Sequence, residues 1–215
     1  MTPYLILIAV PTIIWIFNDR IQFNAGNQLL HKTRSLSIDV FMIILLVLLA
    51  FRGLECGIDT MQYSRLFKEY SLSSVSELLT KNTHEFGYKF LNKLIGSIFG
   101  NFQYLLIAAS FLCVCPLWYF YKKESEIPIL TLSLFLSVSP FVMYFSGIRQ
   151  SIAMSLGVFA WYSAKNKKLL RFICLVLLAM QFHTSAFILI VLYPLYHVKI
   201  TKKWLWFVVP CMVVV

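Results

Sequence analysis

Seven apolar runs divide this sequence, and they leave membrane-spanning helices as its one ordinary way to fold. Hydrophobic residues make up 60% of the 215 residues and charged residues only 13%, whereas a soluble domain has about 25% charged residues. In a bilayer each helix satisfies its own backbone hydrogen bonds. The runs therefore predict an all-α fold, a polytopic transmembrane helical bundle forming a single domain over 1–215. The predicted spans are 3–17, 36–51, 102–121, 127–145, 148–164, 172–196 and, in part, 204–215.

The last run has 12 residues, and a helix that crosses the bilayer needs about 20. We therefore expect that the chain is truncated and that further spans follow it.

A long polar segment, 52–100, separates the second and third predicted spans. It holds five of the nine acidic residues, which are Glu55, Asp59, Glu69, Glu77 and Glu85. Asp59, Tyr63 and Phe67 recur at helical spacing, and a second pattern starts at Val75. Helices of this kind commonly lie in the plane of a membrane surface. The pattern predicts two short amphipathic helices at the membrane interface.

Basic residues in short loops indicate how the spans are oriented. The loops 18–35, 122–126 and 165–171 contain nine lysines and arginines, and such loops usually face the cytoplasm. This places the N-terminus and segment 52–100 on the extracytoplasmic side, although the lysines within 199–203 oppose the assignment. The net charge of +10 is then explained by the loops, so nucleic acid is not an expected partner.

Arg149 is the first polar residue that calls for an explanation, because it stands at the start of the fifth predicted span and is followed by Gln150. An arginine at the centre of a span costs about 2.5–3.5 kcal/mol on insertion scales, and less near an end. One interpretation is that its side chain reaches out to lipid headgroups. The other is that it faces protein along a stripe of small residues and holds a phosphate through paired hydrogen bonds.

His183 lies within the sixth predicted span, in a polar group that also contains Gln181, Thr184 and Ser185. A buried histidine is often a structural donor, yet ionisable groups inside membranes commonly mark functional sites. Its ordinary pKa near neutrality suits proton transfer.

The polar segment offers two further groups of candidates. Arg52 and Asp59 flank two glycines that favour a loop, and Glu85 is followed by Gly87 and Tyr88. By themselves, both groups are typical of a solvated surface with ion pairs.

Several kinds of site are excluded by the sequence. It contains no glycine-rich phosphate loop, no HExxH and no GxSxG. Its four histidines are scattered, and no paired acids stand ready for a divalent cation. We expect a site without metal and without cofactor.

Four fragments together resemble the EpsG family, relatives of the Wzy-type O-antigen and exopolysaccharide polymerases of bacteria. The fragments are Arg52 with Gly57-Ile58-Asp59-Thr60-x-x-Tyr63, Glu85-Phe86-Gly87-Tyr88, Gly147-Ile148-Arg149-Gln150, and Phe182-His183-x-Ser185. Their order and their placement against the spans make the set more specific than any one of them.

The resemblance implies an enzyme of the outer face of the bacterial cytoplasmic (inner) membrane. Such an enzyme joins oligosaccharide repeat units carried on undecaprenyl diphosphate into a surface polysaccharide, as a glycosyltransferase-type polymerase of O-antigen, capsule or exopolysaccharide. Its implied partners are the polyprenyl-diphosphate-linked oligosaccharide, membrane lipid and other assembly proteins such as a flippase and a chain-length regulator.

For the reaction that the resemblance implies, we assign roles to residues as hypotheses, and the two arginines are chosen because they lie at the outer ends of predicted spans. Those assigned to substrate binding are Arg52, Arg149 and Gln150 near the diphosphate, and Tyr63 and Tyr88 as sugar contacts. Those assigned to catalysis are Asp59, Glu85 and His183, as base, sugar ligand or orienting group.

Three other classes of protein compete with this interpretation. A transporter or flippase for lipid-linked sugars would use the same arginines without forming a bond. A non-catalytic membrane subunit would need no base. A membrane O-acyltransferase also needs a deep histidine, but no acid follows His183 at short spacing.

Overall fold

The computed structural model describes residues 2–22, 27–80, 84–125, 127–137 and 139–197, and every regular element in those ranges is a helix. The first four helices are α1 (Thr2–Gln22), α2 (Asn27–Ala50), α3 (Thr60–Leu72) and α4 (Val75–Thr80). The next four are α5 (Phe86–Phe99), α6 (Phe102–Glu124), α7 (Pro128–Ser137) and α8 (Ser139–Ser146). The last are α9 (Ile148–Lys165), α10 (Leu169–Met180), a 3₁₀ helix (Thr184–Val191) and α11 (Leu192–His197). The all-α prediction is therefore confirmed, and the predicted run 204–215 lies outside the described residues.

The long helices lie side by side in the order α1, α2, α6, α9, α10. Their common core is apolar and includes Phe41, Met42, Leu106, Val114 and Ile152. Of the described residues, a single helix, α6, is both long and apolar enough to cross a membrane. Four shorter apolar helical stretches accompany it, at Leu5–Ile14, Leu36–Ala50, Leu169–Met180 and Thr184–His197.

The predicted span 127–145 is helical in its described residues from Pro128 onward, over α7 and α8. The predicted span 172–196 is not one continuous α-helix. The predicted span 172–196 ends as an α-helix at Met180 and resumes at Thr184 as a 3₁₀ helix.

Other predicted spans are shorter than the helices that contain them. Helix α1 extends to Gln22 instead of 17, α2 begins at Asn27 instead of 36, and α6 ends at Glu124 instead of 121. An apolar run marks the part of a helix that avoids water, whereas polar helix-forming residues continue the helix beyond it.

The polar segment 52–100 contains three helices instead of the two predicted. The missed helix, α5, is strongly two-sided, with large apolar residues such as Phe86 and Phe90 exposed. Its buried side mixes apolar residues with Lys89 and Asn92. Glycine allows the close approach of α3 and α5, since a Cβ at Gly96 would lie 2.2 Å from the Cβ of Ser71.

The loop before α3 is fixed to the turn between α8 and α9. Gly57 has a φ of +89°, and a Cβ at this position would lie 2.0 Å from the carbonyl oxygen of Phe145. The amide of Ile58 donates to the Ser146 hydroxyl at 3.3 Å. A glycine is required here for both conformation and space, and it brings the polar segment to the start of α9.

Polar contacts also join the helices at the end opposite to the turn between α8 and α9. Asp39 of α2 accepts hydrogen bonds from the Trp118 indole at 2.6 Å and from Lys122, which lies 3.0 Å away as an ion pair. Lys165 of α9 forms an ion pair with Glu124 of α6. The two ends of the bundle therefore differ, and most of the basic loops lie at the end that carries these ion pairs.

Candidate active site

The carboxylate of Glu85 joins three distant parts of the chain. Glu85 immediately precedes α5, and its Oε2 accepts a hydrogen bond from Nη1 of Arg149 at 2.5 Å. Its Oε1 accepts from the backbone N–H and the hydroxyl of Thr184, at 2.9 and 3.1 Å. The Nδ1 atom of His183 lies 3.7 Å from the same oxygen. The acid, the arginine and the histidine that the sequence singled out thus meet at one point.

This environment keeps Glu85 ionised. Burial by itself raises the pKa of the carboxyl group, but the Thr184 amide and the positive charge of Arg149 outweigh it, so that the pKa lies below its usual range. The side chains of Glu85 and Arg149 are only 15% and 22% exposed, so water screens the pair weakly.

Arg149 is held on its other sides by aromatic residues of the polar segment. Its guanidinium lies over the ring of Tyr88, 5.8 Å from the centroid, and near the Tyr63 side chain. Burial raises the pKa of Tyr63, and the nearby Arg149 charge opposes that rise. The rings of Tyr63 and Tyr88 meet edge to face, 5.7 Å apart. Arg149 therefore faces protein, and not lipid headgroups.

Three buried polar atoms of this cluster have no hydrogen-bond partner within the described part of the chain. They are Nε of Arg149, Nδ1 of His183 and the hydroxyl of Tyr88. Native proteins leave few such atoms, and unsatisfied ones are commonly found where a ligand or a reacting group binds. The site is thus able to bind an anion through arginine and to exchange a proton through histidine.

The break after α10 is positioned by direct backbone contact with α5. The amide of Tyr88 donates to the carbonyl of Gln181 at 3.2 Å. A Cβ on Gly87 would lie 2.7 Å from the Cβ of Gln181 and 2.8 Å from its carbonyl oxygen. A side chain at 87 would push the two segments apart, so this glycine sets the distance between Glu85 and His183.

Three other predicted site residues lie outside this immediate cluster. Arg52 is buried and donates from Nη1 to the carbonyl of Tyr144 at 2.8 Å, which fixes the end of α8. Asp59 immediately precedes α3, and its charge helps to raise the pKa of Tyr63. Gln150 lines a cavity of about 190 Å³ together with His183.

Two contributors were not predicted as site residues. Thr184 supplies two of the hydrogen bonds to Glu85. His84 forms a hydrogen bond of 2.5 Å between its Nδ1 and the Tyr70 hydroxyl, and its ring packs against that of Tyr88. Burial, and then the charge of Arg149, lower the pKa of His84. The position of His84 directly before Glu85 was the available signal for it.

The comparison with known protein families decides what kind of chain carries this site. The model described as EpsG family matches residues 37–215, which include every residue of the cluster. The chain belongs to the EpsG family. Comparisons with curated proteins and with solved structures gave no match.

Membership of the EpsG family, together with the apolar helices, indicates a membrane protein of the polysaccharide-polymerase type. The match also agrees with the resemblance noted in the sequence. All four fragments that carried it fall within the matched residues.

Proposed function

We propose that this EpsG-family protein polymerises oligosaccharide repeat units carried on undecaprenyl diphosphate. The observation that supports this is the meeting of Glu85, Arg149 and His183 at one point, with unsatisfied polar atoms among them. The reaction needs a cation for the diphosphate leaving group and a base for the acceptor hydroxyl. The cluster contains both.

Arg149 is the proposed ligand of the diphosphate. Its contact with Glu85 is made through Nη1, and Nε has no partner within the described residues. The guanidinium can therefore keep Glu85 while it donates to a phosphate oxygen, and charge-assisted hydrogen bonds of this kind strengthen as the leaving group develops charge. Gln150, the next residue, would donate a further hydrogen bond there.

His183 is the proposed general base, with Glu85 as the group that orients it. The lowered pKa of Glu85 makes this carboxylate a weak base, but it is well placed to hold an imidazole. The present 3.7 Å between His183 Nδ1 and Glu85 needs to shorten by less than 1 Å to become a hydrogen bond, and such contacts often tighten when substrate binds. The other ring nitrogen would then accept the proton of the sugar hydroxyl.

The remaining predicted residues receive supporting roles in this proposal. Asp59, which immediately precedes α3, and Tyr63 in its first turn would bind acceptor sugar hydroxyls. Tyr88 is fully buried, so we assign its ring to supporting Arg149. Arg52 would hold the turn that presents Arg149.

The proposed setting is the outer face of the bacterial cytoplasmic membrane, with a polytopic bundle whose N-terminus is extracytoplasmic. Nine basic residues lie in the loops assigned to the cytoplasm. A membrane-impermeant thiol reagent should label Ser74→Cys in whole cells and should label Lys167→Cys after the cells are opened. Labelling in the reverse pattern would overturn the orientation.

A flippase and a chain-length regulator remain the proposed protein partners, and no metal is assigned to the reaction.

The decisive experiment replaces Arg149 with Ala and measures polymer at matched protein levels. Loss of one preorganised donor to a developing charge typically costs about 10²–10³ in rate, so we expect polymer to disappear. The matched control is Arg65→Ala, which removes an exposed arginine of the polar segment 52–100.

The location of the accumulated repeat units tests the competing transporter. If the protein polymerises, Arg149→Ala cells should collect single repeat units on the outer face. If it transports them, the units should collect inside. Normal polymer in Arg149→Ala cells would overturn the role of Arg149.

A further inference from the structure

A large apolar cavity lies below the candidate active site, between α6, α7 and α9. Its volume is about 390 Å³, within the range of about 300–1,000 Å³ that is usual for ligand pockets. Its walls are mainly aliphatic and aromatic and include Leu117, Tyr121, Leu134, Phe135, Met154 and Val158. Leu134 is 56% exposed, so the cavity reaches the protein surface at α7.

Met154 also lines the smaller cavity of about 190 Å³ that contains His183 and Gln150. The two cavities are therefore neighbours with a shared wall. The smaller one has polar groups at the active-site side and apolar groups, among them Ile188 and Leu189, elsewhere. Polarity thus decreases from the cluster toward the larger cavity.

The order of these features along α9 gives their direction. Arg149 stands in the first turn of α9, Met154 follows five residues later and Val158 nine residues later. At about 1.5 Å per residue, the larger cavity extends to roughly 14 Å from Arg149 along the helix axis. A ligand with a charged end at Arg149 would have its apolar part in the two cavities.

We propose that the two cavities, which meet at Met154, form the binding site for the isoprenoid tail of the lipid diphosphate. The first isoprene units lie beside Gln150 and Ser185, and the following units pass Met154 toward Phe135. This proposal rests on the proposed function and adds the part of the substrate that lies in the membrane. The smaller cavity is lined by Gln150, the neighbour of Arg149, and by His183, which shares Glu85 with Arg149, and this position favours the tail of the substrate over an unrelated lipid.

Shape, and not water exclusion, would provide selectivity in this site. An isoprenoid tail in the bilayer is already surrounded by hydrocarbon, so its transfer into the cavity gains no hydrophobic free energy. What the cavity offers is close packing around a branched chain, which dispersion forces reward contact by contact. Substitutions in the cavity should therefore change the preference between tails.

The test compares two donors that carry the same oligosaccharide diphosphate, one on a long polyprenyl tail and one on a two-isoprene tail. Met154→Trp should lower the ratio of kcat/KM for the long over the short donor by about tenfold or more, because small changes of volume in an apolar pocket discriminate at that level. The control is Leu112→Trp, which adds the same bulk on the exposed face of α6 and should leave the ratio unchanged. An unchanged ratio in Met154→Trp would overturn the proposal.

A second measurement covers the case that Met154→Trp does not fold. A long-tail lipid diphosphate bearing a photoreactive group in its tail is crosslinked to the wild-type protein in nanodiscs. We expect labelled peptides from α7 around Phe135, and weaker labelling by a phospholipid with a photoreactive acyl chain. Equal labelling by both lipids would overturn the proposal in favour of ordinary bilayer lipid.

The two proposals fail in different ways. If the wild-type protein polymerises neither donor but the tail still labels α7, the proposed function is wrong and the tail site stands. If both donors are polymerised and the tail labels no residue of the cavity, the tail site is wrong and the function stands.

Discussion

Neutralising Glu85 tests the centre of the site most directly. Glu85→Gln keeps the shape of the side chain and an oxygen that can accept from Thr184, but it removes the charge opposite Arg149. Hydrogen bonds to charged groups contribute about 1.5–3 kcal/mol. Since both side chains are less than a quarter exposed, we expect a loss of about 2 kcal/mol. For a chain of this size, that lowers Tm by roughly 4–8 °C.

The pH dependence of this loss identifies its origin. The pKa of Glu85 is lower in the folded protein than in the unfolded chain, where it is about 4.3. Its stabilising contribution is therefore complete above the unfolded value and is lost as pH falls through the lowered folded pKa. Wild type should have the higher Tm at neutral pH, and the difference from Glu85→Gln should disappear in strong acid, below the folded pKa of Glu85.

The assay is thermal unfolding in nanodiscs, followed by intrinsic fluorescence, with Glu55→Gln as the control for an exposed acid of the same segment. A double-mutant cycle with Arg149→Met measures the pair itself. Independent sites are additive within about 0.3–0.5 kcal/mol. If the double mutant is additive within that limit, or if the Tm difference persists unchanged in acid, the ion pair is not what stabilises this site.

Two further predictions concern the parts around it. Gly87→Ala should cost about 1–3 kcal/mol, and should sharply reduce polymer, because its Cβ would collide with Gln181. Gly53→Ala is the control, with no atom within 4 Å of its Cβ, and equal effects of the two would refute the packing argument. The wild type should lose stability as pH falls below the ordinary histidine pKa of about 6.5. The variant His84→Gln should not show this loss. The lowered pKa of His84 means that the unfolded chain binds the proton more readily there, so an unchanged Tm profile would contradict the lowered pKa of this partly buried histidine.

Apolar runs predicted the helices well because burial in lipid or protein is a property of the whole run. The periodic face of α3 was equally visible, since Tyr63 and Phe67 are both buried where the spacing puts them. Helix α5 was missed because its two sides are not separated by polarity: Lys89 and Asn92 are inside and Phe90 is outside. A sequence does not tell which side of a two-sided helix faces protein.

The site was predicted in its residue types and not in its contacts. Arg149 and His183 were singled out because a polar group in an apolar run needs a partner, and Glu85 was singled out through the resemblance to the EpsG family. That these three are partners of one another depends on a break in the sixth predicted span, which holds neither proline nor glycine at Gln181–His183. The break is stabilised from outside, by Glu85 and by the amide of Tyr88. Local sequence carries no signal for such long-range contacts.

The break after α10 also has a consequence for how the protein is made. Helix α10 has 12 residues, about 18 Å at 1.5 Å per residue, and the hydrocarbon core is about 30 Å thick. Neither half of this region can therefore enter the bilayer as an independent stable span, and exposed backbone at the break is tolerated only when protein covers it. The contacts of Glu85 with Thr184 and of Tyr88 with Gln181 supply that cover. The break can therefore persist only once the polar segment has folded against it, so the candidate site and the break form together.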